Sequence, residues 1–141
     1  AKYYNDALEG RITEALAHEK AVALGECGLD YDRDRSPREV QREVFARQLR
    51  LTVALAKPVV IHIRDAEEDA LRIMTECLPS DWRIHVHCYT GSAAAAAKFL
   101  AAFPTNLFFG MTGAITKGFA AKTRDAVRDT IPLEKLLLET D

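Results

Sequence analysis

Short apolar runs alternate along the chain with longer stretches whose apolar residues recur at helical spacing. The short runs are Ala21-Val22-Ala23-Leu24-Gly25, Pro58-Val59-Val60-Ile61-His62-Ile63-Arg64-Asp65, Trp82 to Tyr89, Asn106-Leu107-Phe108-Phe109-Gly110 and Lys135 to Asp141. Their length, their β-branched and aromatic content and the Gly or Pro beside them predict buried strands. Ahead of the first, Leu8, Ile12, Ala15 and Leu16 predict an amphipathic helix over Asp6 to Lys20, weakened at Gly10. Ser36-Pro37-Arg38-Glu39 offers an N-cap, a proline at the first helical position and an early glutamate, so a helix is expected to start there, with Val40, Val44, Leu51 and Leu55 on one face. Asp65 with Glu68 reads as a capping box, and Ala66, Ala70, Ile73, Met74, Cys77 and Leu78 form the stripe of a helix that stops at Pro79. Ser92 is expected to cap the alanine-rich helix that runs to Phe103, and Lys117 to Asp129 carries a weaker helical pattern.

Strand, polar tip and helix follow one another as consecutive βαβ units, which predicts an α/β fold with a parallel sheet and right-handed crossovers. Two architectures answer to that pattern. An open doubly wound sheet binds its ligand where the strand order reverses, often on a glycine-rich phosphate loop, and the chain has no Gly-x-Gly-x-x-Gly or Walker sequence. A (β/α)8 barrel gathers residues from the carboxyl ends of many strands into one site. No linker or low-complexity stretch divides the chain, so residues 1–141 read as one domain or part of one.

The strand tips carry the chemistry. With side chains alternating between faces, Leu24, Glu26 and Gly28 are expected on one side, as are Val60, His62 and Arg64, then His85, His87 and Tyr89, and finally Leu137, Glu139 and Asp141. Alone, His62 would read as a hydrogen-bonded core histidine and Glu26 as a turn residue. Together, Glu26, His62, His87 and Asp141 bring two imidazoles and two carboxylates to four tips. Such groups are costly to bury unless paired or metal-bound, so they are expected to form a divalent-metal site for zinc, manganese or magnesium. His85 lies one layer deeper and is expected to be structural. Glu139 is placed to hydrogen-bond a ligand histidine. Cys27 and Cys88 are expected to point away from the ligand face.

Composition narrows the partners. A formal net charge of −2 gives no broad basic footprint, so any nucleic-acid contact is local. Three cysteines without Cys-x-x-Cys spacing suggest reduced thiols rather than a disulfide framework or structural zinc. No apolar run reaches membrane-spanning length and no signal-peptide pattern opens the chain, so an intracellular location, cytoplasmic or nuclear, without membrane contact is expected.

Gly25-Glu26-Cys27-Gly28-Leu29-Asp30-Tyr31, Pro58 to Ala66, His87-Cys88-Tyr89-Thr90-Gly91 and Leu138-Glu139-Thr140-Asp141 together resemble the TatD family of metal-dependent deoxyribonucleases, over nearly the whole chain. The resemblance implies a TIM-type barrel of the amidohydrolase group, with these five βα units standing for strands four to eight. It implies two divalent metal ions, with Glu26 bridging the pair, His62 and His87 on one ion, and Asp141 on the other and accepting a proton from the attacking water. Arg64 would contact a substrate phosphate. The implied activity is phosphodiester hydrolysis on single-stranded or frayed DNA, from a 3′ end. Lys117 and Arg33 are read as surface charge, and Tyr89 as a base-stacking residue or a neighbour of His62. The family's His-x-His strand is absent, and a five-strand arc leaves two open edges. The sequence is therefore expected to be part of a longer polypeptide. Rival readings are an amide or lactone hydrolase of the same barrel group, and a non-catalytic barrel or interaction domain.

Overall fold

The computed structural model describes residues 1–141. Helix α1 (Asp6–Leu16) leads to strand β1 (Leu24–Asp30), then α2 (Arg38–Ala54), β2 (Val59–Arg64), α3 (Glu67–Cys77), β3 (Ile84–His87), α4 (Ala93–Ala102), β4 (Leu107–Met111), α5 (Ala121–Asp129) and β5 (Leu136–Leu138). Short 3-10 turns lie at Gly113–Thr116, Gly118–Ala120 and Leu133–Lys135. No helix is long and apolar enough to cross a membrane.

Pairing follows chain order, β1-β2-β3-β4-β5, and every pair is parallel. A doubly wound sheet reverses order at its switch point, whereas a barrel wall does not. The sheet is thus an arc of a (β/α)8-type barrel, with β1 and β5 at its edges. Val59, Ile61 and Ile63 of β2, Ile84 and Val86 of β3 and Leu107 and Phe109 of β4 are buried against Phe45, Leu49, Met74 and Phe99 of the helices. Each such side chain contributes about 1.5–3 kcal/mol by leaving water. The alternate residues, among them His62, Arg64 and His87, face the other side.

Several elements differ from the sequence expectation. Ala21 to Ala23 are not strand, and Val22 is exposed. In β1 the register runs Leu24 opposite Val59 and then Cys27 opposite Ile61, so β1 carries one extra residue. This bulge shifts the alternation. Leu24 is buried with Cys27 and Leu29, while Glu26 turns to the open face; Leu24 and Glu26 do not share a side. The first helix ends at Leu16 rather than Lys20. Pro37, not Ser36, is the N-cap of α2, and Ala66 is that of α3; neither helix has a side-chain cap bond. Asp65 sits instead at a positive φ of 50°, which takes it out of capping position. Ser92 does cap α4, accepting from Ala95 N at 3.2 Å. Strand β3 stops at His87 because Cys88 adopts φ 42°.

Candidate metal centre and cleft

The bulge in β1, the tip of β2 and the end of β3 bring Glu26, His62 and His87 to one rim, and the segment after β5 adds Glu139 and Asp141. Glu26 Oε1 lies 2.8 Å from His62 Nδ1, and His62 Nε2 lies 3.5 Å from Asp30 Oδ2. Across the rim, His87 Nδ1 is 2.8 Å from Glu139 Oε2, while His87 Nε2 is 3.4 Å from Asp141 Oδ1 and 4.0 Å from Glu26 Oε1. Arg64 forms a 2.9 Å ion pair with Asp32 and shares a cleft of about 600 Å3 with Glu26, His62 and Asp141. A second cavity, of about 510 Å3, opens on the α1 side of β1, so Glu26 and His62 stand between two openings.

Glu139 is the best-held member. It accepts from Cys88 N at 2.6 Å through Oε1 and from His87 through Oε2. Burial alone pushes its carboxyl up, but those hydrogen bonds and the nearby imidazoles outweigh burial and hold it below the usual carboxylate range. Burial likewise favours neutral His87, yet the bond to Glu139 and the charges of Glu139 and Glu26 win, and His87 titrates above its ordinary range. Asp30 is lowered too: burial opposes ionisation, while the N–H groups of Arg33 and Asp32 and the His62 ring favour it.

The donor set fits a divalent cation in kind. Carboxylate oxygen and imidazole nitrogen suit zinc, manganese or magnesium, and four carboxylates gathered on two histidines repel one another unless a cation lies among them. His87 has the orientation of a ligand, since its Nδ1 is held by a carboxylate and its Nε2 faces Asp141 and Glu26. Two donors around one tetrahedral ion stand about 3.4 Å apart, close to the His87–Asp141 separation. The Glu26–His62 arm is engaged in its own hydrogen bond, and no three His, Cys, Asp or Glu side chains are spaced for coordination as they stand.

Other expectations meet mixed outcomes. His85 contacts Glu139 at 3.3 Å and meets the His87 ring edge-on at 6.3 Å, but is at ion-pair distance of neither Glu26 nor Asp141. Tyr89 neither stacks in the cleft nor packs on His62: it is buried, its ring meets Phe109 edge-on at 4.8 Å, and its hydroxyl donates to Ser92 O. Arg33 is exposed, as expected of surface charge, at the rim of both openings. Cys27 is buried, and burial pushes its thiol up to about 12, but Cys88 lines the cleft because its positive φ interrupts the strand alternation. All three cysteines are free. The sequence reading passed over Asp30 as a site residue, although the i+4 spacing from Glu26 puts both on one strand face.

A family model described as "TatD related DNase" matches residues 1–141. The chain belongs to the TatD family. Over 142 aligned residues it is 46% identical to the human protein named 3'-5' RNA nuclease TATDN2, covering 100% of this chain and 18% of that protein. A protein of Cronobacter turicensis named 3'-5' ssDNA/RNA exonuclease TatD is 36% identical, over 100% of this chain and 52% of its own length. Bacillus subtilis YabD, described as an uncharacterized metal-dependent hydrolase, is 41% identical over 92% of this chain and 49% of its own length. Among solved structures, the TatD homologue YJJV of Escherichia coli K12 superposes with a TM-score of 0.86 at 31% identity, covering 99% of this chain and 53% of that one. The chain therefore spans about half the length of its bacterial TatD relatives.

Proposed function

We propose that this TatD-family chain carries the metal-binding part of a nuclease that hydrolyses phosphodiester bonds in single-stranded DNA from the 3′ end, and that residues 1–141 belong to one barrel domain. The observation that carries the reading is His87, held by Glu139 on one nitrogen and facing Asp141 and Glu26 with the other. In this reading Glu26, His62, His87 and Asp141 hold two divalent ions. Divalent ions supply Lewis acidity toward phosphate oxygens and toward water. Glu139 keeps the His87 proton on Nδ1, which leaves the Nε2 lone pair for coordination. Asp141, whose Oδ1 lies 3.4 Å from His87 Nε2, takes a proton at the cleft side. Arg64 exchanges its Asp32 partner for a non-bridging phosphate oxygen, with the forked geometry that suits bidentate contact. The relatives' names speak for both DNA and RNA, so the test runs both strands.

The experiment is degradation of end-labelled single-stranded DNA and RNA by the full-length protein with added magnesium or manganese, beside its His87→Ala and Arg64→Ala variants. Metal-dependent shortening from the 3′ end, abolished in the first variant and reduced at least about tenfold in the second, is the expected result. A folded, metal-loaded protein that shortens neither strand refutes the reading.

A further inference from the structure

We infer that Asp30 is a positioning residue of the metal centre: it holds the His62 ring by Nε2 and so presents Nδ1 to the cation. The inference rests on the metal-binding reading above and gives a role to a carboxylate that reading leaves unused.

Strand pairing puts the groups in place. After the bulge, Gly28 stands opposite His62, with Glu26 before it and Asp30 after it on the open face of β1. Gly28 carries no side chain between the two carboxylates, and the imidazole spans them. Its Nδ1 lies 2.8 Å from Glu26 Oε1 and its Nε2 lies 3.5 Å from Asp30 Oδ2.

The two carboxylates are held differently. Asp30 Oδ1 accepts from Arg33 N at 2.8 Å and from Asp32 N at 3.1 Å, which leaves Oδ2 with His62 as its one partner. Its backbone is fixed as well: Asp30 N donates to Gln41 Oε1 at 2.9 Å, and Asp30 O accepts from Gln41 Nε2 at 3.1 Å. Gln41 is 7% exposed, and a buried amide satisfied at both ends keeps one geometry. Glu26, about half exposed, has no such anchor: its carboxylate meets only His62 Nδ1 and, at 4.0 Å, His87 Nε2. A carboxylate free to turn suits a ligand, whereas an anchored one suits a partner that aims a ligand.

His87 repeats the arrangement with its nitrogens exchanged. Glu26 Oε1 faces Nδ1 of one ring and Nε2 of the other, so those atoms mark the cation side. Behind each ring stands a carboxylate fixed by backbone N–H groups: Asp30 behind His62, and Glu139, bonded to Cys88 N, behind His87. Such a partner keeps the ring proton on the nitrogen it faces and leaves the other lone pair to the metal. Asp30 therefore selects for His62 the tautomer opposite to that of His87.

Asp30→Asn separates this role from a merely structural one. The Arg33 and Asp32 N–H groups still need the side-chain oxygen, so the NH2 takes the place of Oδ2 and sets a donor against Nε2. The ring proton then moves to Nδ1 and blocks coordination.

The test titrates full-length wild type, Asp30→Asn, His62→Ala and the double variant with manganese by calorimetry. Asp30→Asn is expected to weaken binding about 10–100-fold with unchanged circular dichroism. In the His62→Ala background the same substitution should change affinity less than about twofold, because Asp30 acts through the ring. Nitrogen-15 histidine spectra of the zinc-loaded wild type should show His62 protonated on Nε2, with that proton protected from solvent exchange. Equal losses in both backgrounds would mean that Asp30 only attracts the cation as a nearby charge, and would overturn the inference; so would wild-type affinity in Asp30→Asn. Should that variant not fold, the wild-type spectrum decides: a proton on Nδ1, or an unprotected one on Nε2, overturns the inference, and a protected Nε2 proton sustains it. Cleavage is not read here, so failure to shorten DNA or RNA removes the substrate without touching this result. A full-length wild type that binds no manganese takes down the metal reading and this inference together.

Discussion

Gly110 lies directly beneath the Glu139 carboxylate: a β-carbon at Gly110 would stand 1.7 Å from Glu139 Oε1 and 2.5 Å from His85 Nε2. Only a residue without a side chain lets the segment after β5 reach across β4 to His87 on β3. The obstructing atoms are the ends of side chains, not backbone, so they move aside at modest cost. Gly110→Ala is expected to lose about 1–2 kcal/mol of stability in denaturant unfolding. Divalent-metal affinity, followed by calorimetry, should fall because Glu139 is pushed off His87. Full retention of affinity would show that this contact does not orient the ligand.

Glu139 itself makes the sharper case. Glu139→Gln removes the charge and keeps an oxygen for only one of the His87 and Cys88 N–H groups, setting its NH2 against the other. Partners that orient a metal-bound histidine typically matter by about 10–100-fold in metal affinity, and a loss of that size is expected here by titration calorimetry. The fold should survive, with unchanged far-ultraviolet circular dichroism.

Gly28 answers to a different constraint. Its φ is +153°, and a β-carbon there would lie 1.8 Å from the His62 carbonyl oxygen, which is backbone of the paired strand and has no room to yield. Gly28→Ala is expected to cost more than about 3 kcal/mol, well above Gly110→Ala. Unfolding midpoints of the two variants, measured side by side, check the order.

Asp69 ties α3 to β1 and α2. Tyr31 Oη donates to it at 2.6 Å, Arg72 at 2.9 Å and Arg42 at 3.3 Å. The Tyr31 hydrogen bond, followed by that from Arg72, holds the carboxyl below its ordinary range. A carboxyl lowered on folding stabilises fully above its unfolded pKa near 3.9, and that contribution vanishes as pH falls through the lower folded value. Because the pairs are partly exposed, the contribution is on the order of 1 kcal/mol. Unfolding measured at pH 6 and again near pH 3 should show wild type losing more stability than Asp69→Asn over that interval. Equal losses would sink the assignment.

Much of the architecture was legible because it depends on local periodicity. The apolar runs at Val59 to Ile63 and Leu107 to Phe109 place β2 and β4, and Ser92 marks the start of α4 as its side-chain chemistry requires. The two helix caps that failed share a cause. Ser36 and Asp65 have the right residue types for capping, but the backbone there takes another path, and Asp65 at a positive φ cannot reach the helix it precedes.

The sequence by itself determined the parallel α/β order, the apolar helix-facing side of the sheet and the residue types at the strand tips, because alternation and helical spacing are properties of neighbouring residues. Only the tertiary structure decided which tips meet. The bulge between Leu24 and Cys27 sends Leu24 into the core while Glu26 keeps the open face beside His62, and the bend at Cys88 directs Tyr89 into the core instead of the cleft. Gly110 leaves the space through which Glu139 reaches His87. Each depends on the position of a strand distant in sequence, and one extra residue or one positive φ inverts a face that strict alternation would have assigned.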